Sequence, residues 1–294
     1  MKNKSLLLLV LASLALPLRA APLTESTFSE IVNEVNIVST TGDAAAAKVS
    51  EVLKAPQRVR TGPQSRAELT APDNTITRVG ANTVFSYADS GRTLNLEQGS
   101  LLFHPPKGLG GGTIKSGGAA AAVLGTTLIV SATTGGGFKV IMLEGKGKVT
   151  LPNGSSVTLT AGQEVFVLPG GTEFSQVFNI NLDKLVEGSL LIKGFSHELS
   201  SLSLILAAIQ DQNKKLKSGA ASDTGTPPEF FLPPPAPGNG QNILDPATYQ
   251  TAVHPQLDNR QFNALIEGNG TQGPPPSNVG PGGRTIVIFA SRPQ

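Results

Sequence analysis

The chain has 294 residues, of which 33 are Gly and 22 are Pro, while 15% are charged and 5% are aromatic. The absence of Cys excludes disulfides, Cys-based zinc sites, thiol nucleophiles and anchoring through a lipidated N-terminal Cys. The Gly and Pro content excludes a helical bundle, and a hydrophobic content of 39% excludes a polytopic membrane protein.

The first 20 residues are typical of a secretory signal peptide. Lys2 and Lys4 precede an apolar run from Leu6 to Leu16, and small residues follow at Ala20. This run is too short to span a bilayer, although an uncleaved N-terminal anchor is the alternative. Cleavage after Ala20 lowers Lys+Arg from 23 to 20 against 21 Asp+Glu, which changes the net charge from +2 to −1. We therefore expect an exported protein of the periplasm or cell surface, with no stable transmembrane anchor and no affinity for nucleic acid.

Residues 28–175 contain short β-rich runs divided by turn signals, a pattern that predicts an antiparallel β-sandwich or barrel-like domain. Turns are predicted at Gln98-Gly99 and, as the strongest hairpin signal, at Asn153-Gly154. In chain order the predicted strands include Ser65–Ala71, Thr75–Val79, Thr83–Tyr87, Arg92–Glu97, Ser100–His104, Thr126–Thr134, Phe138–Leu143, Lys148–Leu151, Val157–Thr160 and Glu164–Leu168.

Two parts of this domain resemble each other. Residues 68–74 align with residues 148–154 at an offset of 80, and with one inserted residue 76–85 align with 157–166 at an offset of 81. We interpret this as a duplicated three-strand unit, with Phe85 and Phe166 at equivalent core positions. Chance similarity among short, turn-rich strands is the alternative.

Residues 181–217 change to helical periodicity, and the pattern predicts two amphipathic helices broken near Gly194. We expect these helices to pack on the β-domain, and a partner-binding or dimerising helix is the alternative. The apolar positions are Leu182, Leu185, Val186, Leu190, Leu199, Leu202, Ile205, Leu206 and Ile209.

The remaining chain is low in complexity. Residues 218–283 hold 12 of the 22 prolines and are predicted to be a disordered tail. The last segment, residues 284–294, contains the strand-like run Arg284–Ala290, which we expect to add to a sheet edge in this chain or another.

The sequence contains no recognisable catalytic motif. His104, His197 and His254 lie in three different segments, and Ser201 stands where an HExxH zinc motif beginning at His197 needs its second His. The Gly-rich stretches lack the Lys and Ser or Thr of a phosphate-binding loop. We therefore predict that the protein is not an enzyme and binds no metal or cofactor. A polysaccharide-acting hydrolase with carboxylates that meet only in space is an alternative, although few aromatic residues are available to stack on sugars.

Three arginines, Arg58, Arg60 and Arg66, form a small basic cluster in the sequence. We interpret them as solvated strand ends paired with nearby carboxylates.

A series of short motifs runs along about residues 35–170. In order, the chain contains RVRTG, SRAEL, LEQG, VLGT, VIMLEG and TAGQ. Together these motifs resemble the FecR domain, a β-rich extracytoplasmic module. The matching glycines are expected at turns, so the motif specifies architecture rather than chemistry. The residues that carry the resemblance are Arg60, Thr61, Gly62, Gly99, Gly125, Thr126, Glu144, Gly145, Gly162 and Gln163.

The FecR resemblance implies a role in regulation. The best-known members of the family sense a loaded outer-membrane iron transporter and regulate a cytoplasmic sigma factor through a membrane span. Here the apolar run begins at Leu6, which leaves no room for the cytoplasmic segment of those proteins. We therefore expect an exported, non-catalytic binding or regulatory module without the transmembrane signalling part, whose partner is another envelope protein or an envelope polymer. A structural or surface-assembly protein that uses its C-terminal strand and tail is the alternative.

Overall fold

The computed structural model describes residues 20–168 and 171–220 in full, together with the backbone of residues 222–223 and 229–231. The predicted signal peptide, the C-terminal strand, His254 and most of the predicted tail lie outside the described residues. The strands are β1 (Glu25–Val32), β2 (Val35–Val38), β3 (Ala44–Ala46), β4 (Val52–Lys54), β5 (Arg58–Thr61), β6 (Arg66–Thr70), β7 (Ile76–Val79), β8 (Val84–Tyr87), β9 (Thr93–His104), β10 (Gly112–Ser116), β11 (Ala119–Val123), β12 (Thr127–Ala132), β13 (Phe138–Glu144), β14 (Lys146–Thr150), β15 (Ser156–Thr160), β16 (Gln163–Val167), β17 (Phe178–Ile180), β18 (Ser222–Asp223) and β19 (Glu229–Phe231). The helices are α1 (Leu182–Gly188), α2 (Leu190–Lys193) and α3 (Leu202–Lys217).

The strands form two packed sheets that share β9, so the predicted mainly β fold is confirmed. The first, which we call the covered sheet, runs β4-β1-β6-β7-β9-β12-β13-β16-β17-β19-β18. The second, the open sheet, runs β3-β2-β5-β8-β9-β10-β11-β14-β15. Pairing among the described strands is antiparallel except between β9 and β10. The main core, which includes Phe28, Phe85, Phe103 and Phe138, lies between the sheets.

Strand β9 runs through the place where a turn was predicted at Gln98-Gly99, so that prediction was wrong. Its first half pairs with β8 in the open sheet, and its second half pairs with β7 and β12 in the covered sheet. Gly99 has φ +88°, a conformation that bends the strand without ending it. One long strand therefore joins the two layers.

A second apolar core lies on the outer face of the covered sheet, beneath the helices. Alternate residues of a strand point to opposite faces, so Leu101 and Phe103 enter the main core while Leu102 enters this second one. Buried helix residues complete it, including Ile205 and Ile209 of α3. Because both faces of the covered sheet are packed, β12 and β13 are buried along their whole length.

The predicted helical segment is present as three helices, and α2 ends at Gly194 as the sequence suggested. The expectation that the helices pack on the β-domain agrees with this second core. The predicted apolar stripe was wrong at two positions, because Leu190 is 61% exposed and Leu206 is 46% exposed. Within the described residues, no helix is long and apolar enough to cross a membrane.

The hydrogen bonding of the two similar three-strand segments matches at a constant offset of 80. Asn74 N–H donates to Ala71 O at 2.9 Å, and Gly154 N–H donates to Leu151 O at 3.0 Å. In both copies the third strand leaves the sheet of the first two, since β8 lies in the open sheet and β16 in the covered sheet.

The proposed equivalence of Phe85 and Phe166 was wrong. Phe85 lies in the main core, whereas the ring of Phe166 packs against Phe178 at a centroid distance of 5.8 Å. Val165 occupies the core position that matches Phe85. The inserted residue in the sequence alignment shifted the register by one, and such a shift exchanges the two faces of a strand.

Candidate functional site

The residues of the FecR-like motifs form three separate clusters in the structure. The first joins β5 of the open sheet to the turn between β7 and β8 and to β9. Thr61 Oγ1 donates to Gly80 O at 2.6 Å and accepts from the Thr83 N–H at 2.9 Å. Gly99 lies against Thr83 so closely that a Cβ at position 99 would overlap it. Gly62 N–H donates to Glu34 O at 2.9 Å.

Arg60 does not join this first cluster, because its side chain lies on the exposed face of the open sheet. Nor do the three arginines at positions 58, 60 and 66 group together. Arg58 lies 3.6 Å from Glu97 on the open sheet. Arg66 belongs to the covered sheet, where its Nε donates to Gly194 O at 3.1 Å.

The second cluster lies where β12 and β13 meet. Gly125 has φ +68°, and a Cβ there would lie 2.6 Å from Lys107 Cα. Gly145 has φ +72° and faces the side chain of Thr126, whose hydroxyl donates to Lys146 O at 3.3 Å. The motif residues at positions 125, 126, 144 and 145 are therefore neighbours in space.

The third cluster lies under the helices. Gln163 Oε1 accepts from the backbone N–H and the hydroxyl of Thr160, both at 2.9 Å. Gly162 has φ +77° and packs against the side-chain amide of Gln212 of α3, 2.6 Å from where a Cβ would lie. Gln212 in turn accepts from Leu182 N–H at 3.0 Å and donates to Ile180 O at 2.8 Å.

A buried polar group, which we call the junction cluster, extends the second cluster to the helices. It consists of His104, Thr127, Glu144 and Ser201. The Thr127 hydroxyl lies 2.9 Å from His104 Nδ1, 3.0 Å from Glu144 Oε1 and 2.8 Å from Ser201 Oγ. Because this hydroxyl has one proton and two lone pairs, it can donate to an ionised Glu144 while it accepts from the other two groups. Ser201 is the residue before α3, so the cluster links a FecR-like motif to that helix.

Burial shifts the pKa of both titratable members of the junction cluster toward the neutral form. Desolvation raises the pKa of Glu144 above its ordinary 4.5, against the opposing effects of the Thr127 hydrogen bond and of Lys107. Desolvation and then the charge of Lys107 lower the pKa of His104 below 6.5. Near neutral pH the imidazole is therefore uncharged, which suits a hydrogen-bonded link rather than a charged site.

Arg78 fixes the helical layer to the covered sheet. Its side chain is fully buried and its Nε donates to Glu68 Oε2 at 2.8 Å. The remaining guanidinium nitrogens donate to the carbonyls of Leu191 at 3.2 Å, Ile192 at 2.8 Å and His197 at 2.7 Å. The Arg78 guanidinium therefore supplies hydrogen-bond donors to backbone carbonyls of α2 and of the loop that follows it.

The loop after α2 makes further contacts with the same sheet. Phe195 covers the Arg78 guanidinium at 4.5 Å from the ring centroid. Glu30 accepts from the Ser196 hydroxyl at 2.6 Å, and its pKa is lowered by hydrogen bonds to Ser196 and by His197, which outweigh the opposing desolvation. We call residues 190–199, which comprise α2 and the loop after it, the docking loop.

Sequence reasoning missed Arg78 and the junction cluster. Arg78 is a charged residue within a short predicted strand, and such a residue is expected on the exposed face of a two-layer sandwich. His104 was treated as isolated because its three partners come from segments up to about 100 residues away. The one available signal was the long helical segment, since a helix pair that covers a sheet buries outward-facing strand residues.

The described residues bring together no recognisable catalytic set. Among them there is no group of three His, Asp or Glu side chains that could hold a metal ion. His197 is mostly exposed and lies 3.6 Å from Glu30, while the buried Glu144 accepts a hydrogen bond from the Thr127 hydroxyl.

The geometry thus defines a two-sheet β-module with Gly-centred strand junctions and a helical layer. Residues 57–148 match the family model described as FecR protein. The predicted FecR resemblance is confirmed over this part of the chain.

Two solved structures are also similar to the chain. They are crystal structures, at 1.65 Å and 2.50 Å resolution, of a provisionally assigned anti-sigma factor from Parabacteroides distasonis ATCC 8503. Both are 17% identical over 60% of this chain, with TM-scores of 0.40 and 0.39, and the match covers 82% and 99% of those chains. No curated protein matches the chain significantly.

Proposed function

We propose that this protein is an exported, non-catalytic regulatory module of the cell envelope, which acts by contact with a partner. The observation that carries the proposal is the FecR match over residues 57–148. The signal-like N-terminus supports the extracytoplasmic location.

The arrangement of the module supports a role in contact rather than catalysis. Two buried polar groups of the covered sheet bind the helical layer: Thr127 binds Ser201, and Arg78 binds two carbonyls of α2 and one of the loop after it. These side chains are occupied in holding two layers together. The helical layer is thereby attached to the FecR motif residues, so that a partner bound to one layer would act on the other through this junction.

The proposal is tested in the native host by deletion of the gene and transcript profiling. The deletion is complemented with the full chain and with a copy that lacks residues 1–20. We expect the deletion to change a coherent set of transcripts and only the copy with residues 1–20 to restore them. Unchanged transcripts would reject the regulatory role, and complementation by the shortened copy would reject the exported location.

A further inference from the structure

One half of the open sheet presents an exposed face that is cationic and free of carboxylates. Strands β10, β11, β14 and β15 contain no Asp or Glu. Their inward residues, among them Ile114, Val149 and Leu159, fill the main core. Lys115, Lys146 and Lys148 point outward and are exposed. We call this surface the lysine face.

The three lysines lie in an oblique row across the sheet. Lys148 is paired in register with Ala122, and Lys115 with Ala120. With about 3.4 Å per residue and 4.8 Å between strands, Lys146 and Lys148 are about 7 Å apart at Cα, and Lys148 and Lys115 about 12 Å. The row therefore spans about 17 Å. Neighbouring lysines lie about one Debye length apart, so their electrostatic potentials add.

Among the residues that the structure describes, no carboxylate neutralises these charges. Ion pairs between described residues involve other cations, and none of the three lysines lies within 4.0 Å of a carboxylate there. Arg92, at the edge of the face, differs because its guanidinium binds Asp73 at 2.7 Å. The face thus carries three charges that need counterions.

The surface between the lysines is formed by small side chains. Ala120 and Ala122 lie at its centre, and a groove of about 530 Å³ crosses its end next to Lys146 and Lys148. Threonine hydroxyls line it at positions 93, 113 and 158. Leu124, which is 80% exposed, is the large apolar side chain on this edge. Such a surface offers positive charge and threonine hydroxyls around a shallow, largely apolar groove made of small side chains and Leu124.

We propose that the lysine face binds an extended carboxylate-bearing glycan of the envelope. Lysines in a row match repeated carboxylates, and the threonines of the groove beside them match sugar hydroxyls. A protein partner would need aromatic or apolar anchors, which this face lacks apart from Leu124. A single-stranded nucleic acid would need an aromatic stacking platform, and the four strands contain no aromatic residue. The proposal names a ligand for the exported module and rests on the proposed function only for its location.

The test uses the full mature chain, residues 21–294, and polygalacturonate as the probe. Binding is measured by calorimetry at 50 mM and 300 mM NaCl, with neutral dextran, poly-L-glutamate and single-stranded DNA as competitors. We expect the protein to bind polygalacturonate, with an affinity that falls as salt increases. Neutral dextran should not compete with this binding. Loss of one lysine, as in Lys148→Ala, weakens binding about threefold, and the triple change at 115, 146 and 148 weakens it about thirtyfold.

The matched control is the triple Ala variant of Lys193, Lys214 and Lys217, which removes the same charge from the helical layer. It should bind like the parent. Equal weakening in the control, or none in the lysine-face variant, would overturn the proposal. Stronger competition by poly-L-glutamate or DNA than by free polygalacturonate would also overturn it, in favour of a protein or nucleic-acid ligand. Failure of glycan binding would leave the transcript effect of a gene deletion unaffected, so the two proposals fail separately.

Discussion

Substitution of Arg78 by Met tests whether a single buried guanidinium holds the helical layer on the sheet. The change keeps much of the side-chain volume but removes the charge. It leaves Glu68, which is 6% exposed, without its cation, and three carbonyls without their donor. Removal of one partner of a buried ion pair costs about 3–5 kcal/mol, and we expect a loss of about 4 kcal/mol in the free energy of unfolding.

The loss should have a defined location. Arg78 binds three carbonyls within residues 190–199, so hydrogen exchange should accelerate first at the amides of these residues. Strands of the open sheet, such as β5 and β14, should keep their protection. Urea denaturation gives the magnitude and exchange measured by mass spectrometry gives the place.

Two control variants separate this explanation from a general loss of packing. Arg66→Met removes one hydrogen bond to Gly194 O from a half-buried side chain, and should cost about 1 kcal/mol. The double variant Glu68→Met with Arg78→Met removes both charges and should recover the part of the loss that comes from the unpaired carboxylate, while the three carbonyls stay without a donor. A cost below about 1 kcal/mol for Arg78→Met, or a double variant no more stable than the single one, would refute the reasoning.

Three further substitutions test the junctions. Gly99→Ala places a residue with a side chain at a positive φ, and its Cβ overlaps Thr83. It should lower the free energy of unfolding by about 3 kcal/mol in urea denaturation. Gln212→Ala leaves one backbone N–H and one carbonyl without a partner, at a cost of about 2 kcal/mol by the same assay. Burial raises the pKa of Glu144 above 4.5, so stability should fall as pH rises from about 4.5 through the folded-state pKa, and Glu144→Gln should remove that dependence in denaturation series at several pH values.

Each of these changes has a matched control. Gly91 has φ +74° but open space around it, so Gly91→Ala should cost only about 1 kcal/mol. Gln210→Ala, at an exposed position of α3 two residues before Gln212, should leave the free energy of unfolding unchanged. Glu187→Gln on the exposed surface should retain the parent's pH dependence. Similar behaviour of a control and its partner would show that the named contact is not the cause.

Local sequence patterns were sufficient for strands β6–β9 and β12–β16 and for the helical segment, but they did not predict β1–β5, β10 or β11. Turn residues such as Asn153-Gly154 mark hairpins because they adopt positive φ, and that preference belongs to the residue itself. The same reasoning was wrong at Gly99, where a positive φ bends a continuous strand. A glycine shows that a special backbone angle is available, but the hydrogen-bond partners on either side decide whether the strand ends there.

Residues of the junction cluster and the docking loop could not be predicted in the same way. His104, Thr127, Glu144 and Ser201 lie up to about 100 residues apart, and no fixed spacing connects them. Arg78 has the sequence pattern of an exposed strand residue, yet it is fully buried because the helices cover that face. Whether a polar side chain on a strand meets water or protein depends on what packs against the sheet.

The amino-acid sequence by itself determined the β-rich module, the FecR resemblance and the position of the helices, since these follow from residue preferences and periodicity over short stretches. The tertiary structure alone decided which strand faces meet the helices, which buried charges are paired, and that the lysines at positions 115, 146 and 148 share one uncovered face. Those properties depend on contacts between distant segments, and such contacts arise only when the sheets close and one outer face is covered.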